Sequence, residues 1–184
     1  MKRILIILSM TLWSIALSAQ KPVENKWSDL EFLRDSRRLN LIIDYSSADI
    51  LGEDFEDFVA GEAEWNSYEP EIRSKFIRAF NEQADDGPSP HRVGTYPDAE
   101  YTLVIHVKKV DDDGSNVKGT MNIVNSEGEV LFTRKVEGNE GRFGSVCNLM
   151  GDAFREMGED VGQSFYHHAR THKVKAKKKA AKNK

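Results

Sequence analysis

Cysteine is nearly missing from this chain: Cys147 is the only one in 184 residues. A single thiol closes no internal disulfide, so stability must come from a hydrophobic core rather than covalent staples. Long apolar runs are scarce as well. The longest, residues 4–17, falls short of the roughly 20 residues a membrane-spanning helix needs. Two nucleotide and hydrolase signatures are also wanting. Five residues separate Gly138 from Gly144 in GNEGRFGSVCNLMGDAF, and Ser145 follows without a lysine. A phosphate loop needs four residues between its glycines and then Lys with Ser or Thr. A nucleophile elbow fails too, because no glycine stands two places after Ser145.

The two ends carry what the middle lacks. Lys2 and Arg3 precede the apolar run, and small residues Ser18 and Ala19 close it. This is the layout of a cleavable secretory signal over residues 1–19, cut after Ala19 or, alternatively, after Ser18. No cysteine follows to accept a lipid. The expected product is periplasmic or secreted, with no transmembrane span after cleavage. Its length of about 165 residues suits one domain, residues 20–171. At the other end, residues 172–184 hold Lys173, Lys175, Lys177, Lys178, Lys179, Lys182 and Lys184, no acid, and little apolar bulk beyond Val174. Such a stretch is expected to be disordered. Setting aside Lys2, Arg3 and those seven lysines leaves 17 basic against 30 acidic residues, so the body carries about −13. A cationic tail on an acidic body either folds loosely back or reaches an anionic partner. Those seven lysines are the candidate contacts, to lipid head groups, acidic glycans or nucleic acid, with nucleic acid the least expected.

Periodicity between the ends predicts an α+β domain. Trp27, Leu30, Phe32 and Leu33 can anchor a lead segment. Residues 39–45 put Leu39, Leu41, Ile43 and Tyr45 on one face of a strand. Phe55, Phe58 and Val59 stand at helical spacing in the acidic stretch 52–64, marking a short helix or ordered loop. From Pro70, suited to a first-turn position, Ile72, Phe76, Ala79, Phe80 and Gln83 trace a helix that stops at the break 84–90. Three strands follow (100–110, 116–125 and 129–138), joined by short polar turns into an antiparallel meander. The last helix then opens behind Ser145. The order β-α-β-β-β-α implies a two-layer α/β sandwich. Its sheet should be four-stranded and mostly antiparallel, with two helices on one face and the first strand parallel to a later one.

Candidate chemistry is thin. Ser145 is placed to cap the last helix, whose apolar stripe runs from Val146 through Leu149, Met150, Ala153, Phe154, Met157 and Val161 to Phe165. Gly151 and Gly158 lie at the edge of that stripe, where close approach to the sheet or a neighbouring helix would offset their cost. Cys147 falls within it, a position for a buried, inert thiol. His106 sits mid-strand on the outward face. His167, His168 and His172 cluster where cations suit a helix C-terminus, without acids or a thiol to complete a metal set. DDDGSN lacks the glutamate that closes a calcium loop and reads as a hairpin turn. Glu53, Asp54, Glu56, Asp57, Glu62 and Glu64 show no spacing that singles out an acid–base pair. No catalytic, cofactor-binding or metal residue is assigned.

The segments LSAQ, DLEFL…LNLIIDYS (29–46), KFIRAFNE, AEYTLVIHV and GRFGSVCNLMGDAF together resemble small exported α/β proteins of Bacteroidota whose function is uncharacterised. The order of elements is also similar to small α/β domains of periplasmic envelope-assembly factors. The resemblance implies a soluble exported α/β domain and supplies no catalytic residue. It leaves three functional expectations: a non-catalytic binding or accessory protein of the cell envelope, an exported hydrolase whose groups converge only in three dimensions, or a tail-mediated binder of an anionic polymer or membrane surface.

Overall fold

In the computed structural model, residues 24–182 are described apart from 86–88, 112 and 142, with the backbone alone from 172 onward. The secretory signal expected at 1–19 lies outside the described residues. A 3-10 helix, Trp27–Leu33, leads in and buries Leu30 and Leu33. Then come β1 (Arg38–Asp44), β2 (Asp49–Ile50), β3 (Glu53–Asp54), α1 (Phe55–Gly61), α2 (Trp65–Asp85), β4 (Arg92–Gly94), β5 (Tyr101–Val110), β6 (Asn116–Asn125), β7 (Val130–Asn139) and α3 (Val146–Lys182).

The α+β sandwich is as the periodicity predicts, but the sheet has seven strands where four are expected. The extra three are β2, β3 and β4. Strands of two or three residues are too short to carry an alternation. β1 is parallel to β4 on one side and to β5 on the other, with Leu41 opposite Leu103 and Asp44 opposite His106. β2 extends the line of β1 along β5 by pairing with Lys109 and Val110, and β3 folds back on it. β5, β6 and β7 form the antiparallel meander. Across its width the sheet therefore runs β4, β1, β5, β6, β7.

One face of this sheet is the core. Leu39, Leu41, Leu103, Ile105, Val107, Met121, Ile123 and Phe132 are sealed beneath Phe76, Phe80, Phe154 and Phe165 from the helices. α2 starts at Trp65, a turn earlier than Pro70 suggests, so the proline stands inside the helix. Its missing N–H leaves only the carbonyl of Asn66 without an intrahelical donor, and both residues are exposed to water. α2 and α3 run in the same direction. Lys75 reaches Asp152, the Phe76 carbonyl lies beside Gly158, and that of Phe80 lies beside Gly162. A Cβ on Gly158 would stand 2.5 Å from the Phe76 oxygen, so glycine lets the two backbones touch. β7 meets α3 more closely still. A Cβ on Gly138 would lie 1.9 Å from the carbonyl oxygen of Ala153.

The tail departs from expectation. Residues 172–184 read as disordered, yet α3 continues as helix to Lys182. Lysine and alanine bury nothing here but are both strong helix formers, and cations at a helix C-terminus are stabilised by its dipole. Helical propagation from an anchored segment avoids the nucleation cost that would defeat an isolated peptide of this composition.

Candidate functional site

The glycine-rich stretch is a helix start. Asn148 N–H meets Ser145 Oγ at 3.4 Å, and Leu149 N–H donates to the Ser145 carbonyl at 3.0 Å. Cys147 is buried, and burial, with Glu62 and Glu64 adding repulsion, pushes its thiol up to about 11. It is therefore a protonated packing group at neutral pH. The acids of residues 53–64 do local work. Asp54 Oδ1 caps α1 by accepting from Asp57 N–H at 3.1 Å, and Glu56 and Asp57 occupy the first turn, where negative charge suits the dipole. In the β5–β6 turn, Asp113 accepts from the N–H and hydroxyl of Ser115. No group of three or more His, Cys, Asp or Glu suited to a metal ion occurs among the described residues. The seven tail lysines lie on the last turns of α3 or beyond it.

What remains is the second face of the sheet. Residues that alternate with the core positions point there, and no helix of the α2–α3 layer covers them. Asn40, Asp44, Thr102, Val104, His106, Asn122 and Val124 are half-buried, while Ile42 is 44% and Val130 51% exposed. The register stacks these side chains in rows across the strands. Ile42, Val104, Asn122 and Thr133 form one row, and Asp44, His106, Thr120 and Lys135 form the next. Each row runs from β1 to β7.

The strongest polar contact of the face joins the parallel neighbours β1 and β5. His106 Nδ1 lies 2.8 Å from Asp44 Oδ2. Burial pushes the Asp44 carboxyl up, but the N–H and hydroxyl of Ser46 together with His106 outweigh it, leaving its pKa below the usual carboxylate value. Asp44 is thus held charged. In the neighbouring row, Asn122 Oδ1 is enclosed and has no hydrogen-bond partner. An enclosed, unpaired amide oxygen costs about 1–3 kcal/mol, and it stands beside Val104 on the same face.

Two features that no motif announces sit off this face. His91 is buried, with Nδ1 2.9 Å from the Ser36 carbonyl. Burial, reinforced by nearby His168 and Arg92, lowers its pKa against the opposing pull of that carbonyl. Asn81 of α2 brackets β4, donating to the Val93 carbonyl at 2.9 Å and accepting from the Val93 N–H at 3.0 Å. The amide stands in for a missing neighbour strand. Both belong to an edge that sequence periodicity leaves blank, although the pairing of a lone polar residue with an otherwise apolar helix face is a usable hint of such a bracket.

Along the opposite edge, a groove of about 400 Å³ runs between β7 and α3. Trp27, Val136, Met157 and Val161 form its floor. Asp160 stands on its rim with a pKa raised by burial and by Glu156 and Glu159.

No protein-family model matches the chain, and no curated protein does. Two solved structures resemble it in fold. A Xanthomonas campestris protein assigned to DUF330 has a TM-score of 0.41 and 10% identity, covering 76% of this chain and 88% of its own. PelC from Paraburkholderia phytofirmans, solved as a dodecamer, has a TM-score of 0.39 and 12% identity, with 71% and 88% covered. These are likenesses of architecture, and nothing of either protein's assembly passes to this chain through them.

Proposed function

We propose that the chain is an exported, non-catalytic binding or accessory protein of the cell envelope, and that it engages a protein partner through the uncovered face of its sheet. The observation that carries this reading is the composition of that face. Exposed Ile42 and Val130 accompany half-buried Val104 and Val124, while Asp44, Lys118, Lys135 and Glu137 supply charges of both signs. A polyanion would call for charge of one sign. Apolar residues set among hydrogen-bonding groups of mixed sign match the make-up of protein interfaces. Asn122 Oδ1 adds an acceptor that a partner's N–H would satisfy.

The test is cross-linking and capture from envelope fractions with wild-type protein and with Ile42→Asp and Val130→Asp. Both side chains are already largely in water, so the thermal transition should be unchanged. The partner recovered with wild type should be lost or reduced severalfold with each variant. Undiminished recovery of that partner with both variants would refute the assignment of the face.

A second reading rests on the tail. α3 carries its lysine-rich sequence as helix to Lys182, on a chain whose remaining charge is strongly negative. Contact with an anionic polymer or membrane surface would then be a property of residues 173–184 alone.

A further inference from the structure

β7 is an outer strand, and only part of its free edge is closed. In an antiparallel ladder every second residue turns its N–H and C=O to the same side. Thr133 turns outward: its carbonyl accepts from Asn25 N–H at 3.0 Å, and its N–H donates to Asn25 Oδ1 at 2.8 Å. By the same two-residue repeat Lys135, Glu137 and Asn139 also turn outward. Lys135 N–H meets only the Glu24 carboxylate, at a long 3.4 Å, and Asn139 N–H is taken by the Glu156 carboxylate. The backbone of Glu137 faces outward between these two. Arg134 fixes the lead segment by donating to the Asn25 carbonyl at 2.8 Å and lying over the Trp27 ring. Because Glu24 lies by Lys135 and Asn25 by Thr133, the lead approaches β7 antiparallel. Residues upstream of Glu24 are therefore aimed along the strand toward Asn139.

We propose that residues 20–23 close this edge as an added antiparallel strand, with Val23 paired to Lys135 and Lys21 paired to Glu137. The occupant is this chain's own segment, continuous with the contact Asn25 already makes. The phase of that contact decides which groups face inward. Residues 25, 23 and 21 present N–H and C=O to β7, whereas 24 and 22 present theirs to water. Pro22, the one residue unable to donate, falls on the solvent side, where an edge strand tolerates it and where it discourages further strand addition. Lys21 comes opposite Glu137, an opposite-charge cross-strand pair. Side chains alternate, so Pro22 is directed toward the apolar floor formed by Trp27, Val136, Met157 and Val161. Four residues at about 3.4 Å each cover the distance from Thr133 to Glu137.

The experiment is amide hydrogen exchange, resolved by residue, on the exported form and on three variants. In wild type the Glu137 amide should exchange at least about tenfold more slowly than in Val23→Pro, which removes the N–H offered to the Lys135 carbonyl and disrupts the pairing. Lys21→Glu should reduce the protection, and the double variant Lys21→Glu with Glu137→Lys should restore it. Exchange of Glu137 in wild type as fast as the exposed turn amide of Glu127 would overturn the proposal, as would protection that Val23→Pro leaves intact. Protection that rises with protein concentration would assign the strand to a second copy and overturn the assignment within one chain.

Discussion

Replacing the glycines one at a time by alanine should separate helix propensity from interhelical packing. Alanine is worth about 1 kcal/mol over glycine inside a helix. At Gly61, the last residue of α1, an added Cβ meets nothing within 4 Å, so Gly61→Ala should gain a few tenths to about 1 kcal/mol. At Gly158 the same Cβ would lie 2.5 Å from the Phe76 carbonyl oxygen and 3.1 Å from its Cα. Backbone cannot rotate aside as a side chain can, so α2 and α3 must separate. Overpacking of this kind costs about 1–3 kcal/mol, and separation also loosens the contact of Phe80 with Phe165, whose rings are 5.2 Å apart. The clash should outweigh the propensity gain, for a net loss of about 1–2 kcal/mol, or roughly 2–8 °C in the thermal midpoint of a domain this size. Gly151→Ala should be near neutral because its Cβ meets only the flexible Lys75 side chain. Gly138→Ala should be the most damaging, with the Ala153 carbonyl at 1.9 Å. Urea midpoints at constant slope provide the ranking. If Gly158→Ala raised the midpoint as Gly61→Ala does, the helices would not be in backbone contact and this account of their packing would be wrong.

Other outcomes follow from single side chains and from the ends. His91 has a lowered pKa in the folded state, so the unfolded chain takes up the proton first and stability should fall as pH drops below the unfolded value near 6.5. His91→Gln should flatten that slope between about pH 7.5 and 5.5, and an unchanged slope would remove His91 as its cause. Cys147, buried with its thiol near 11, should resist a thiol reagent in native protein and react once unfolded; fast native labelling would contradict its placement. Mass spectrometry of the exported product should find its N-terminus at Gln20 or Ala19, and recovery of the intact chain would count against cleavage. Deleting residues 173–184 should abolish salt-sensitive co-sedimentation with anionic vesicles and leave the melting temperature nearly unchanged. Equal binding by both forms would end the tail reading.

Where side chains repeat, the sequence was readable. The meander of β5, β6 and β7 follows from alternation and turn residues, and α3 from its stripe behind Ser145. The tight approach of Gly158 to α2 was legible as a puzzle, since an apolar helix keeps a costly glycine only for a reason. What escaped reading lacks a local signature. β2, β3 and β4 are defined by the neighbours they pair with. Asp44 and His106 stand 62 residues apart and meet only because β1 lies parallel to β5 in one register. Asn81 and His91 do their work in a region that looks like a break between elements. At the tail, composition points to disorder when burial is the criterion and to helix when propensity is. The latter prevails where an anchored helix already supplies the nucleus.

The parallel course of α2 and α3 also makes the molecule electrically directional. Two antiparallel helices would cancel their dipoles, but these add, placing roughly half a positive charge at each N-terminus and half a negative charge at each C-terminus. The ionisable residues follow the same axis. Glu62 and Glu64 lie near the starting end of the pair, close to Cys147, while Arg92 and His168 lie near His91 where α2 finishes. Beyond them α3 runs on toward its lysines. Side-chain charge thus opposes the backbone dipole at both ends, and the acidic and basic groups themselves form a dipole along the helix axis. In front of a charged surface such a body does not arrive in random orientation. It turns its α3 end toward an anionic surface and holds the sheet, whose plane flanks that axis, side-on and open to whatever lies alongside.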